Sequence, residues 1–194
     1  MIDFKKIRVA IFDVDGTLTD GSYFISSEEG VITRNPVVTK RFYTRDWYAL
    51  EQLLKSGLNV VILTEATDGC ILKRLDYIKN NTSSKVWKDA FEDRSIFCMT
   101  GIKNKVNAME EYLAAWDLGK GWNFDQIAYI GDAENDLECM QKALYTGCPS
   151  DAVSIIKGES NYLCDAKGGY GAVYEFCMHI LEKIKEQKNE NNET

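Results

Sequence analysis

Two aspartates end an apolar segment near the beginning of the chain, in the stretch VAIFDVDGTLTDG. Asp13 and Asp15 are separated by a single residue. Like charges this close raise the free energy unless a cation or a shared proton compensates them. The pair therefore predicts a metal site, a reaction centre or both.

Other polar residues follow later apolar segments in the same way. Thr64 follows NVVIL and Asp132 follows QIAYIG, while Asp136 could either join a site or cap the next helix. Lys105 lies at the start of a predicted helix, where Lys103 is an alternative basic residue. Because ligand sites in parallel α/β sheets gather at the carboxyl ends of the strands, one cleft could collect these side chains.

The elements that must position these residues alternate along the chain. Short β-branched or aromatic runs predict strands over residues 7–14, 59–64 and 126–132. Helical spacing of apolar residues predicts helices over residues 46–57 and 103–116. This alternation predicts an α/β fold, a Rossmann-like parallel sheet with helices on both faces.

The segment from 21 to 45 is too long for a structureless loop in a compact domain. Hairpin-like runs around the turn SSEEG predict a small β-hairpin flap that projects over the strand ends. A short strand is also predicted near 96–99, and an amphipathic helix precedes a polar tail over 188–194 that we expect to be disordered. We expect residues 1–187 to form a single domain.

The charge, the apolar runs and the cysteine spacing indicate which binding partners and which cellular compartment to expect. The net charge of −7 argues against nucleic acid and anionic membranes, which are usually bound through a basic surface. The sequence shows neither a membrane-spanning apolar run nor a secretory cleavage signal, and its six cysteines lack metal-site spacing. These features predict a cytoplasmic protein whose cysteines remain thiols.

The ordered motifs DxDGT, a strand-end Thr, a helix-opening Lys and GDxxxD together resemble the haloacid dehalogenase superfamily over most of the chain. The resemblance implies a phosphatase in which Asp13 is the nucleophile and Asp15 is the general acid and base. Such an enzyme forms an aspartyl-phosphate and requires Mg²⁺. Gly16 would permit the turn that brings the loop backbone close to the phosphate.

The remaining motif residues receive roles from the same resemblance. Thr64 and Lys105 would bind the transferring phosphate by a hydroxyl hydrogen bond and a positive charge. Mg²⁺ would be held by Asp13, the backbone carbonyl of Asp15 and Asp132, with Asp136 completing the acidic motif.

The chain resembles the capless branch of this superfamily, which contains 3-deoxy-D-manno-octulosonate 8-phosphate phosphatase and nonulosonate 9-phosphate phosphatases. The resemblance rests on the chain length, on the predicted flap in place of a large cap, and on the late segment GGYGAVYEF. The resemblance implies a homotetramer in which a neighbouring subunit closes the active site over a phosphorylated 2-keto-3-deoxy sugar acid. Two motifs depart from the branch, since TEATD lacks its usual basic residue and Tyr170 replaces a charged one. Nearby flap cations could compensate, namely Lys40, Arg41 and Arg45.

Two alternatives remain open at this point. The chain could be a phosphatase with another small-metabolite specificity. It could also be a catalytically weak module that assembles with a sugar-nucleotide-forming enzyme.

Overall fold

The computed structural model describes residues 2–26, 37–116 and 123–190. Its main feature is a six-stranded sheet whose central strands are rich in β-branched and aromatic residues. The strand order is β5-β4-β1-β6-β7-β8, and every neighbouring pair is parallel. The bounds of these strands are β1 Val9–Phe12, β4 Asn59–Leu63, β5 Ile96–Met99, β6 Ile127–Ile130, β7 Tyr145–Cys148 and β8 Tyr162–Leu163.

Helices cover both faces of the sheet, as predicted. They are α1 Thr44–Lys55, α2 Cys70–Asn81, α3 Lys85–Glu92, α4 Lys105–Trp116, α5 Leu137–Lys142, α6 Ser154–Glu159 and α7 Ala172–Glu190.

Successive side chains of β1 pack alternately into two separate layers of the hydrophobic core. Ala10 and Phe12 pack in the layer that includes residues of α1, α2, α3 and α7. Val9 and Ile11 pack in the layer that includes residues of α4, α5 and α6. Since successive side chains of a strand point to opposite faces, one apolar strand anchors both layers.

The described part of the predicted flap is a separate antiparallel pair. It consists of β2 Phe24–Ser26 and β3 Val37–Thr39, with Ile25 opposite Val38. Most of the predicted SSEEG turn falls in residues 27–36, which lie outside the described residues.

The long segment over 80–102 contains a helix that the sequence patterns did not predict, α3, before the predicted short strand. The final helix extends to Glu190, so residues 188–190 of the predicted disordered tail are helical, and 191–194 lie outside the described residues. The single-domain boundary at residue 187 stays a prediction.

Candidate active site

The first strand ends at the centre of the sheet, where its neighbours on both sides also end in polar residues. β1 lies between β4 and β6, with Phe12 opposite Ile62 on one side and Ile130 on the other. Asp13, Thr64 and Asp132 follow the ends of these three strands. Because these strands are parallel, residues that are distant in sequence lie together at the carboxyl edge of the sheet. This is the point at which the order of the strands changes direction, where ligands bind in open α/β sheets.

Lys105 connects two carboxylates in the interior of this edge. Its Nζ lies 2.5 Å from Asp13 Oδ1 and 2.6 Å from Asp136 Oδ1. All three side chains are almost completely buried. The alternative residue, Lys103, is exposed, so the structure brings Lys105 and not Lys103 to the aspartates.

Asp136 is held by four donors and is not merely a helix cap. Its Oδ1 accepts hydrogen bonds from Lys105 Nζ and, at 2.7 Å, from the hydroxyl of Tyr129. Its Oδ2 accepts from the backbone N–H groups of Asp132 and Ala133 at 3.0 and 3.2 Å. Sequence reasoning missed Tyr129, although a hydroxyl inside the otherwise apolar strand IAYI was a usable signal.

Asp132 lies against the turn that follows Asp13. Thr17 Oγ1 donates to Asp132 Oδ1 at 3.3 Å. Gly16 has a φ of +87°, and a Cβ built there would lie 2.1 Å from Asp132 Oδ2. Both the left-handed backbone and the lack of space therefore require glycine at position 16.

The clustered carboxylates have unusual acidities. Burial, together with the negative charge of Asp136, raises the pKa of Asp13 to about 8 although Lys105 opposes the change. Burial and Asp136 also raise the pKa of Asp132 to about 6. Burial disfavours the charged ammonium of Lys105, but Asp13 and Asp136 outweigh it and raise its pKa. The site therefore carries more carboxylate charge than one lysine compensates.

The donor set fits a hard divalent cation. One carboxylate oxygen each from Asp13, Asp132 and Asp136 lies within 4.8 Å of the others. Carboxylate oxygens are the protein ligands that Mg²⁺ prefers. Because the oxygens of Asp136 already accept four hydrogen bonds, Asp13 and Asp132 are the better placed ligands, and Asp136 is better placed to orient Lys105.

The Asp15 side chain belongs to a different group of charges. Its carboxylate lies 2.7 Å from Lys40 Nζ, and the same Nζ lies 2.6 Å from Asp68 Oδ2. The described acidic cluster that could hold a metal includes no side-chain oxygen of Asp15. Its predicted contribution to the metal, through the backbone carbonyl, stays a prediction.

Three further residues were predicted to contact the substrate, and their surroundings differ; they are Thr64, Arg41 and Arg45. Thr64 is buried, and its Oγ1 accepts the N–H of Ala66 at 3.1 Å, which leaves the hydroxyl hydrogen free to donate. Arg41 lies 3.0 Å from Asp20 and 4.1 Å from the centroid of the Tyr170 ring. Arg45 is exposed at the start of α1 and forms no ion pair with another described residue, so its predicted role in substrate binding stays a prediction.

Curated relatives match nearly the whole chain. It is 27% identical over 187 residues to N-acylneuraminate cytidylyltransferase of Oncorhynchus mykiss, covering 96% of this chain but only 38% of that protein. It is also 27% identical over 176 residues to 3-deoxy-D-manno-octulosonate 8-phosphate phosphatase of Yersinia pestis, covering 91% of this chain and 80% of that one. The chain thus spans little more than a third of the cytidylyltransferases it matches. No family model matches the sequence.

Solved structures share the fold. The crystal structure of the Yersinia pestis 3-deoxy-D-manno-octulosonate 8-phosphate phosphatase has a TM-score of 0.74 at 26% identity, covering 95% of this chain and 86% of that chain. The Moraxella catarrhalis phosphatase, solved with magnesium, phosphate and the sugar acid KDO, has a TM-score of 0.72 at 24% identity, covering 93% and 88%.

The predicted resemblance to the haloacid dehalogenase superfamily is confirmed. The matched phosphatases also support the predicted enzyme class. A search of the described residues for a helix long and apolar enough to span a membrane found none.

Proposed function

We propose that this chain is a metal-dependent phosphomonoesterase that forms an aspartyl-phosphate on Asp13. The observation that carries the proposal is the buried group of Asp13, Lys105 and Asp136, with Asp132 beside it, at the carboxyl edge of the sheet. Phosphoryl transfer needs an in-line nucleophile and positive charge around the equatorial oxygens, and this group can provide both.

The proposed reaction has two half-reactions. In the first, an Asp13 oxygen forms a bond to phosphorus while the bond from phosphorus to the substrate oxygen breaks, and Asp15 donates a proton to the leaving alkoxide. In the second, Asp15 takes a proton from water as the water oxygen attacks phosphorus, and the bond to Asp13 breaks to release phosphate. Lys105 and the Thr64 hydroxyl would bind phosphate oxygens throughout.

A divalent cation held by Asp13 and Asp132 would offset the negative charge that otherwise repels a phosphate from the nucleophile. We propose Mg²⁺ as this cation. The raised pKa of Asp13 supports a cation at this position, because burial and a neighbouring carboxylate leave its charge under-compensated.

We propose a small phosphorylated sugar acid of the 2-keto-3-deoxy octulosonate or nonulosonate class as the substrate. The similarity to sugar-acid phosphate phosphatases supports this class.

We further propose a cytoplasmic homotetramer. The flap strands carry exposed apolar side chains, Phe24, Ile25 and Val37, which are 75%, 61% and 66% exposed. Apolar residues that project this far favour burial against another copy, and light scattering in solution tests the assembly. All six cysteines are free, which supports a reducing compartment.

The first experiment measures phosphate release from a panel of sugar-acid phosphates and nucleotides, with and without Mg²⁺. We expect activity that depends on Mg²⁺ and favours keto-sugar acid phosphates. Asp13→Asn should reduce turnover to background while far-ultraviolet circular dichroism stays unchanged, because the amide is not a nucleophile. Asp125→Asn, at an exposed aspartate, serves as the matched control. Retained turnover in Asp13→Asn would exclude the mechanism.

The second candidate is a weakly catalytic module of, or partner for, a sugar-nucleotide-forming enzyme. The match to part of the Oncorhynchus mykiss cytidylyltransferase favours it. Absence of phosphate release from every ester in the panel, at saturating Mg²⁺, would support this candidate over the phosphatase.

A further inference from the structure

Lys40, one of the flap cations named above, has a buried side chain and lies outside the four haloacid dehalogenase motifs. It follows β3 in the flap, yet its side chain is only 2% exposed. Its Nζ lies 2.7 Å from the Asp15 carboxylate and 2.6 Å from Asp68 Oδ2. A flap residue thus contacts the side chain proposed as general acid and base.

The two carboxylates that bind Lys40 are themselves anchored to the framework of the domain. Thr19 Oγ1 lies 3.3 Å from Asp15 Oδ1. The backbone N–H of Cys70, at the start of α2, donates to Asp68 Oδ1 at 2.9 Å. Lys40 therefore connects the loop after β1 with the loop before α2, and its position limits the orientations open to Asp15.

Among the described contacts, only Lys40 and Thr19 hold the Asp15 carboxylate. The Asp15 side chain is 35% exposed, whereas that of Asp13 is 7% exposed. A carboxyl group that must deliver a proton to one oxygen depends on its orientation, because general acid catalysis requires hydrogen-bond reach to that atom.

We propose that Lys40 is a positioning residue that holds the Asp15 carboxyl group in the geometry for proton transfer to the leaving group. This inference rests on the phosphatase proposed above. It assigns to Lys40, which follows the flap strand β3, a part in the chemical step.

The test uses two phosphate esters that differ in their need for a proton. An alkyl phosphate releases a strongly basic alkoxide, while p-nitrophenyl phosphate releases a weakly basic phenolate that leaves without protonation. Loss of a positioned general acid should therefore slow the alkyl ester selectively. The ratio of the two kcat values is independent of the fraction of folded enzyme, so partial misfolding of a variant does not alter it.

In Lys40→Met we expect kcat for the alkyl ester to fall roughly 100-fold and kcat for the nitrophenyl ester to fall less than about threefold. Arg41→Met should keep the wild-type ratio, because Arg41 lies in the same flap but pairs with Asp20 instead of Asp15. In an Asp15→Asn background, adding Lys40→Met should not change the ratio further, since the group that Lys40 orients is gone.

Two results would overturn the inference. An equal loss for both esters in Lys40→Met would assign Lys40 to substrate binding or to the fold, and wild-type kcat values for both esters would remove it from the reaction. Wild-type enzyme that hydrolyses neither these two esters nor any ester of the sugar-acid phosphate and nucleotide panel would instead contradict the proposed phosphatase itself, so the two failures are distinguishable.

Discussion

Two lysines each lie between two carboxylates, but the elements that carry them differ. Lys105 begins α4 and contacts Asp13 and Asp136, whose side chains are 7% and 0% exposed. Lys40 follows a flap strand and contacts Asp15 and Asp68, whose side chains are 35% and 18% exposed. The first group lies wholly inside the framework of the sheet, and the second joins the framework to the flap.

The two groups differ in how far water screens their ion pairs. Ion pairs screened from water interact strongly, and removal of one partner leaves an uncompensated buried charge. Water also solvates partly exposed carboxylates, which weakens their ion pairs. We infer that loss of Lys105 leaves two carboxylates buried without a cation, whereas loss of Lys40 leaves two carboxylates that water can reach.

Substitution of Lys105 should produce the largest effect. In Lys105→Met, Asp13 and Asp136 lose their shared cation, so we expect activity to fall by roughly 1000-fold or more, as for loss of a charge that stabilises phosphoryl transfer. The free energy of unfolding in urea should fall by about 3–5 kcal/mol, the usual cost of breaking a buried ion pair. Lys103→Met is the control, because that exposed side chain lies only two residues away and should change neither quantity. Activity within tenfold of wild type in Lys105→Met would contradict the assignment.

Gly16 follows Asp15 in the chain and leaves no space for a Cβ beside Asp132, the second carboxylate proposed to hold the metal. Gly16→Ala should lower kcat roughly 100-fold, since the new Cβ would displace the Asp132 carboxylate from the proposed metal site. Gly57→Ala is a matched control with the same φ of +87° and no atom within 4 Å of the new Cβ. Both substitutions should cost about 1 kcal/mol of stability from backbone strain, but only the first should lose activity. Equal activity of the two variants would show that crowding at Asp132 is unimportant.

A third buried carboxylate, Asp46, forms no ion pair with a described lysine. Asp46 is fully buried, and among the described contacts its Oδ2 has no hydrogen-bond partner, while its Oδ1 accepts the Tyr174 N–H at 2.9 Å. Burial raises the pKa of Asp46 from 3.8 to about 7, with a smaller contribution from Glu175.

Because the folded state binds this proton more tightly than the unfolded chain, stability should decrease as pH rises from about 4 to about 7. At ~1.4 kcal/mol per pKa unit, the shift corresponds to a few kcal/mol. Asp46→Asn keeps the acceptor for Tyr174 and removes the titration, so its free energy of unfolding should fall less between pH 5 and pH 8. Asp125→Asn should keep the wild-type dependence, and an unchanged slope in Asp46→Asn would refute this explanation.

Local patterns predicted part of the fold, namely the strands β1, β4, β5 and β6 and the helices α1, α4 and α7, but not β7, β8, α2, α3, α5 or α6. The predicted strand over 7–14 is observed as β1 Val9–Phe12, and the predicted helix over 46–57 as α1 Thr44–Lys55. Both carry periodic apolar residues bounded by turn residues, so local and tertiary preferences agree. The helix α3 was missed because its apolar residues occupy only two turns within a polar segment; they are Val86, Trp87, Ala90 and Phe91.

The sequence by itself determined the residue types at the carboxyl edge, because DxDGT and GDxxxD require particular side chains and a glycine at fixed spacings along the backbone. It also determined the alternating α/β order through the two hydrophobic periods. Only the tertiary structure decided between Lys103 and Lys105, since one helical start presents the first to solvent and the second to Asp13. The tertiary structure also placed Lys40 against Asp15 and Tyr129 against Asp136. These contacts depend on how the flap and the parallel strands fold together, and no local sequence pattern predicts them.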